Sequence, residues 1–252
     1  MRTIFGIINP LSPYLFTLCI EVISQYIINS NIIEGINING YEFKLLQYAD
    51  DTTVVLKNEQ SANYFFHVIK EFSNISGLKL NTYKTEAIWL GNVPKFKLPY
   101  NIKWTTKPVK VLGIYIGWDL EESSRLTIMK KISSIKQLLH SWHHRKLTLN
   151  GKVLILKCLA LSQLIYIANL IHFPLDLMKD IEALFYEFLW NGKPHKVKKR
   201  IIIQEFGTGG HKMIDIDTMI KAQKLRWVRR YLNNHDCLWK STMEAMIKVK
   251  KN

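Results

Sequence analysis

The residues of this chain best suited to chemistry are two adjacent carboxylates, Asp50 and Asp51, within Tyr48-Ala49-Asp50-Asp51. Like charges so close repel, a conflict that a bound cation resolves. Hard carboxylate oxygens suit Mg²⁺. Two such ions can activate a hydroxyl nucleophile and neutralise a leaving pyrophosphate, the arrangement of two-metal phosphoryl transfer. The plainer reading is a turn, because Asp is common where chains reverse. The tetrapeptide by itself leaves both open.

Other candidate sites are weaker. His140, His143 and His144 place two imidazoles at i and i+4, yet no Cys or carboxylate follows at ligand spacing, so solvated helix histidines are expected. Gly207-Thr208-Gly209-Gly210 lacks the Lys-Ser/Thr that a phosphate loop requires. Cys19, Cys158 and Cys237 are far apart and flanked by apolar residues, which predicts buried free thiols and a reducing compartment rather than a disulfide framework or zinc site. The Met1–Gly6 stretch ahead of Pro10 and Pro13 is too short for a signal peptide. An intracellular protein of the nucleus or cytoplasm is therefore expected, and not a secreted one.

The elements that must position Asp50 and Asp51 are legible in the pattern around them. Ser12 as N-cap and Pro13 as first helical residue open a helix whose run Tyr14–Asn29 is apolar almost all round, and so is expected to be buried. Residues 43–48 and 52–56 read as two strands joined through Ala49-Asp50-Asp51. Tyr64, Phe65, Val68, Ile69 and Phe72 predict a helix over Ser61–Ser73, ended by Gly77. A short strand is expected over Thr85–Leu90, then a Pro-rich connection over 92–110, then a strand over Val111–Gly117. From about residue 120 the pattern turns to long amphipathic helices, marked by Leu126–Trp142, by the apolar run after Asn150, by Leu177–Leu189 and by Ile220–Tyr231. The run Val153–Phe173 is about long enough to span a bilayer, but Lys157, Gln163 and Asn169 interrupt it, and a buried core helix with no membrane partner is expected.

The formal charge of +15 is unevenly placed. Residues 1–99 hold 8 Lys+Arg and 8 Asp+Glu, while residues 100–252 hold 27 and 12. A polyanion partner explains such asymmetry through phosphate neutralisation and counterion release; a basic surface kept for solubility is the alternative. The cations that best fit phosphate contact are Lys196, Lys198, Lys199 and Arg200 in one basic segment, and Arg226, Arg229 and Arg230 on the last helix. Trp190, Trp227 and Tyr231 lie among them, but aromatics at helical spacing are more often core than stacking platform.

Taken in order, the segments resemble the reverse transcriptases of non-LTR, LINE-type retrotransposons. Pro10-Leu11-Ser12-Pro13-Tyr14-Leu15-Phe16 is similar to the helix-opening block after the nucleotide pocket, and Tyr48–Asp51 to the catalytic hairpin. Ser76–Asn81 followed by Lys84-Thr85-Glu86 resembles the next block, and Leu112–Tyr115 the primer-grip strand. Trp142, Arg145–Leu149, Gly151-Lys152-Val153, Phe188-Leu189-Trp190 and Gly209-Gly210 are also typical of these elements.

The resemblance implies an α+β fold: a partial palm of antiparallel strands and packed helices over residues 1–120, then an all-helical, basic thumb and post-thumb region over 121–252. It implies RNA-directed DNA synthesis on an RNA template and DNA primer with Mg²⁺. Asp50 and Asp51 would be metal ligands, and Lys84 the proton donor to departing pyrophosphate. The pattern also departs from the family. A further aspartate on an earlier strand completes the family's metal site, and residues 1–9 contain no carboxylate; Gly6-Ile7-Ile8-Asn9 stands where the family has a polar stretch. An incomplete ligand set predicts a chain that does not polymerise by itself. A non-catalytic nucleic-acid-binding relic and a structural or interaction protein with a basic helical region are the alternatives.

Overall fold

Apolar periodicity in the two halves of the sequence becomes two separate hydrophobic cores. The computed structural model describes residues 11–38, 40–91, 96–194, 196–233 and 238–249. They fall into two compact units, one of residues up to Leu112 with the C-terminal helix from 238, the other beginning at Gly113.

The first unit opens with α1 (Ser12–Asn29), which has Leu11 rather than Ser12 at its N-cap and Pro13 in its first turn. Pro10 lies outside the described residues. This helix is not buried all round: Ile23, Ser24 and Ile27 are buried, whereas Tyr14, Leu15, Leu18 and Val22 are exposed. One face of α1 meets its neighbours, so apolar character outruns burial. Cys19 is exposed on it, contrary to the expectation of a buried thiol. Antiparallel β1 (Ile36–Ile38) and β2 (Tyr41–Phe43) follow, then the hairpin β3 (Leu45–Tyr48) and β4 (Asp51–Val54).

Lys44, between β2 and β3, ties the sheet to the end of α1. Its buried Nζ donates to the carbonyls of Ile28 (3.1 Å) and Ser30 (2.6 Å) and pairs with Glu42 at 3.1 Å. Helix ends leave carbonyls unsatisfied, and an ammonium among them offsets that cost. Glu42 accepts from the Gly35 N–H at 2.8 Å; that bond, reinforced by Lys44, holds its carboxyl below the ordinary range.

Helix α2 (Glu59–Ser76) is longer than its apolar stripe, because Asn58 caps it by accepting from Ser61 N–H (2.8 Å) and Gly77 at φ 73° ends it. Phe65, Phe66 and Val68 form the first core with Ile23, Ile27, Ile33, Leu98 and Ile102. The strand expected over Thr85–Leu90 contracts to β5 (Ala87–Ile88), paired in parallel with β6 (Trp104–Thr105). The strand expected over 111–117 is interrupted. Leu112 and Gly113 take φ of 47° and 87°, separating β7 (Val109–Val111) from β8 (Ile114–Ile116). A leucine in the left-handed region is costly and leaves little sequence signal.

The second unit is helical. Asp119 caps α3 (Leu120–His143) through the N–H groups of Glu121 and Glu122, and Tyr115 of β8 donates its N–H to the buried Thr127 hydroxyl at 2.9 Å. A continuous helical run follows: α4 (Leu149–Ile155), a π-helical segment (Leu156–Leu161) and α5 (Ser162–Leu170). The run is long and apolar enough to cross a membrane, yet Leu156, Ala160, Leu164, Ile167 and Ala168 are buried in the helical core. Cys158 lies on its exposed side, again unlike the buried thiol expected; Cys237 is outside the described residues.

The core is completed by α6 (Leu175–Trp190), the short α7 (Lys199–Ile202) and α8 (Ile216–Leu232). Buried Lys152 of α4 repeats the Lys44 device at the end of α6. Its Nζ donates to the carbonyls of Phe188 (2.9 Å) and Leu189 (3.0 Å) and to the Asn191 side chain. Burial lowers its pKa. Lys224 of α8 does the same at the end of α5, donating to Ile171 O at 2.7 Å. The last helix, α9 (Leu238–Val249), belongs to the first unit and was not expected from the sequence.

Candidate functional site

The hairpin carrying the two carboxylates has the register Leu45↔Val54, Leu46↔Thr53, Gln47↔Thr52 and Tyr48↔Asp51. Its loop is therefore the dipeptide Ala49-Asp50, and Asp51 is already a strand residue, one step tighter than the sequence suggests. Two-residue hairpin loops require left-handed backbone, and Ala49 supplies it at φ 51°. A non-glycine residue there costs about 1–2 kcal/mol, which the flanking ladder must offset. Leu45 and Val54 anchor the base of the hairpin against the first core, and Gln47 joins the Ser24 hydroxyl of α1. The tip is thus held by packing behind it while its carboxylates face outward.

Asp50 and Asp51 are both exposed, and neither takes part in an ion pair or side-chain hydrogen bond among the described residues. Their oxygens are free to accept a hard cation. Among the described residues, however, no group of three or more His, Cys, Asp or Glu side chains is arranged to hold a metal. The donor chemistry fits Mg²⁺ and the donor number falls short, since Mg²⁺ takes near-octahedral oxygen coordination. Lys84 lies in the turn that follows Asn81, exposed, with its N–H bonded to Asn81 O at 3.1 Å. No hydrogen bond among the described residues joins it to Asp50 or Asp51.

The seven expected phosphate-contacting cations divide into two kinds. Lys196, Lys198, Arg200, Arg226, Arg229 and Arg230 are exposed. Lys199 instead pairs with Glu182 of α6 (2.7 Å) and Asp215, the N-cap of α8 (2.8 Å), which neutralises its charge internally. Burial works against that ammonium, but the two carboxylates outweigh it and raise its pKa. Asp215 gains correspondingly: burial opposes its charge, and hydrogen bonds from Lys199 and Thr218 bring it down to about 2. Tyr186, buried beside Glu182, is pushed up to about 12.

The aromatics among these cations are mostly structural. Trp190 is buried, and Trp227 donates to Asn169 O at 2.7 Å with the Arg230 guanidinium 5.2 Å from its ring. One pair escaped the sequence reading of cations: Arg145 lies 4.2 Å over the Trp142 ring. Their i, i+3 spacing was the available signal.

Two likenesses to known proteins bear on this geometry. Residues 3–116 match the family described as "Reverse transcriptase (RNA-dependent DNA polymerase)", a span that contains the Asp50–Asp51 hairpin. This segment is similar to the reverse transcriptase family. Beyond it, the chain is 22% identical over 230 residues to the "Transposon TX1 uncharacterized 149 kDa protein" of Xenopus laevis, covering 88% of this chain and 17% of that relative. The chain thus spans about a sixth of the transposon protein it resembles, and the likeness runs through the helical unit as well as the reverse-transcriptase segment. Together the two findings support the non-LTR resemblance carried by the sequence motifs.

Proposed function

We propose that this chain is the palm and thumb portion of a non-LTR retrotransposon reverse transcriptase, which acts inside the cell on an RNA template and a DNA primer. The observation that carries the reading is the exposed Asp50–Asp51 tip within the matched segment, with no cation of the chain engaging either carboxylate among the described residues. Asp50 would be the principal ligand for Mg²⁺ and Asp51 the second. When bound, the metal supplies charge neutralisation at the reacting phosphates. Lys84 is the candidate proton donor to pyrophosphate, from its exposed turn.

The helical unit contributes binding. Lys196, Lys198, Arg200, Arg226, Arg229 and Arg230 are exposed cations that neutralise backbone phosphates, whereas Lys44, Lys152, Lys199 and Lys224 are engaged within the fold. With two carboxylates in place of a complete ligand set, the chain binds nucleic acid and does not extend a primer by itself. Fluorescence anisotropy of an RNA–DNA duplex across a salt series tests the binding. Log affinity falls with log salt, at about 0.7–0.9 per phosphate neutralised. Absence of saturable binding at physiological salt favours the structural or interaction reading instead.

A further inference from the structure

We propose that the C-terminal end of α3 is a proton-linked phosphate site, built by His140, His143 and His144 and taking the sugar–phosphate backbone of a nucleic acid. It rests on the nucleic-acid reading above and adds a contact surface separate from the arginines of α8. The three histidines are exposed and in ring contact, with centroids 5.5 Å apart for His140 and His144 and 6.0 Å for His143 and His144. Lys136 lies one turn back on the same helix, and Lys146 and the Trp142-stacked Arg145 follow directly; all three cations are exposed.

The electrostatic surroundings are one-sided. From Ser123 to Leu175 the sequence contains no Asp or Glu. Of the elements packed on α3, β8 brings Tyr115, α5 brings Tyr166, and the π-helical segment brings Lys157 and Cys158, none of them a carboxylate. The carboxylates of α6 are placed elsewhere. Asp176 bonds Arg125 at 2.7 Å, Asp180 acts on the same arginine, Glu182 holds Lys199, and Glu187 lines a groove with Lys193. At the start of α4, Lys152 is committed to the end of α6, and Asn150 bonds His211.

Imidazole is the side chain whose charge changes between pH 5 and 8. The three exposed rings, with Lys136, Arg145 and Lys146 beside them, offer several donors within reach of one phosphodiester, whose oxygens can accept from more than one ring. Protonation and anion binding therefore favour each other, as linkage requires. The rings meet edge to face, at 79° and 88°, and among the described residues they are not arranged as a metal site.

The test uses the full chain and a fluorescent RNA–DNA duplex at about pH 8 and about pH 6, with wild type beside H140Q/H143Q/H144Q. Wild type is expected to bind about tenfold more tightly at the lower pH, with a salt slope steeper by up to about 2.7 for three added phosphate contacts. The triple variant is expected to lose most of the gain in affinity between about pH 8 and about pH 6. A wild type that binds equally at both pH values, or a variant that keeps the gain, overturns the proposal and leaves the nucleic-acid reading intact. No binding at either pH overturns both.

Discussion

The two units use one stabilising device for different ends. In the first, Lys44 ties the end of α1 to the strand that leads into the Asp50–Asp51 hairpin, and Glu42 balances its charge. In the second, Lys152 caps α6 from a fully packed helical core, with carbonyls and an amide oxygen as its acceptors. In the first unit much apolar surface of α1 stays exposed, including Tyr14, Leu18 and Val22; in the second, Leu156, Phe185, Phe188 and Leu189 are buried. The difference teaches where the basic charge goes. Part of the excess is structural, and the exposed cations assigned to phosphate contact lie on the helical unit.

The largest effects should come from close backbone approaches. A Cβ at Gly210 would stand 2.0 Å from Gln204 O, and one at Gly35 would stand 2.1 Å from Phe43 O. Gly210→Ala is expected to cost the helical unit about 3 kcal/mol or more, and Gly35→Ala to do the same to the first unit, read by denaturant unfolding. Each variant should lower the transition of its own unit. A Gly35→Ala effect confined to the helical unit breaks the comparison.

Next come the two lysines. Lys152→Met strands buried carbonyls at the end of α6 and is expected to cost about 2–3 kcal/mol; Lys44→Met, beside half-exposed Glu42, about 1–2 kcal/mol. The reverse order in thermal or chemical unfolding would place the tighter constraint in the hairpin unit. On the outward cations, R226Q/R229Q/R230Q should leave unfolding unchanged and flatten the salt slope of duplex binding by up to about 2.7. An unchanged slope removes α8 from the contact surface.

The smallest effect is a pH dependence. Asp215 falls from 3.8 to about 2 on folding, so its contribution is present above pH 4 and is lost as pH drops towards 2. Because Lys199 is 44% exposed, screening reduces the pair to about 1 kcal/mol. Asp215→Asn should remove that part of the acid destabilisation, and an unaltered acid limb would show that the network contributes nothing.

Much of this was legible in local chemistry. The hairpin at Ala49-Asp50, the stripe and glycine stop of α2, and the long α3 each leave a signal within one element. What stayed hidden depends on tertiary contact. The apolar circumference of α1 cannot reveal that one face alone is covered, and Cys19 and Cys158 follow their helices outward. The left-handed Leu112 has no residue signature, and nothing local distinguishes Lys199 from Lys198 before Glu182 and Asp215 arrive beside it. Asp50 and Asp51 could be named from sequence because both lie on one turn. A third ligand, if drawn from another strand, could not.

The most direct test is primer extension by the purified chain on an RNA template with Mg²⁺ or Mn²⁺, beside Asp50→Asn. Salt-sensitive binding of the template–primer duplex without templated extension is expected, in wild type and variant alike. Robust extension by the wild type that is lost on Asp50→Asn would contradict it, and would show that the two carboxylates already belong to a complete metal centre.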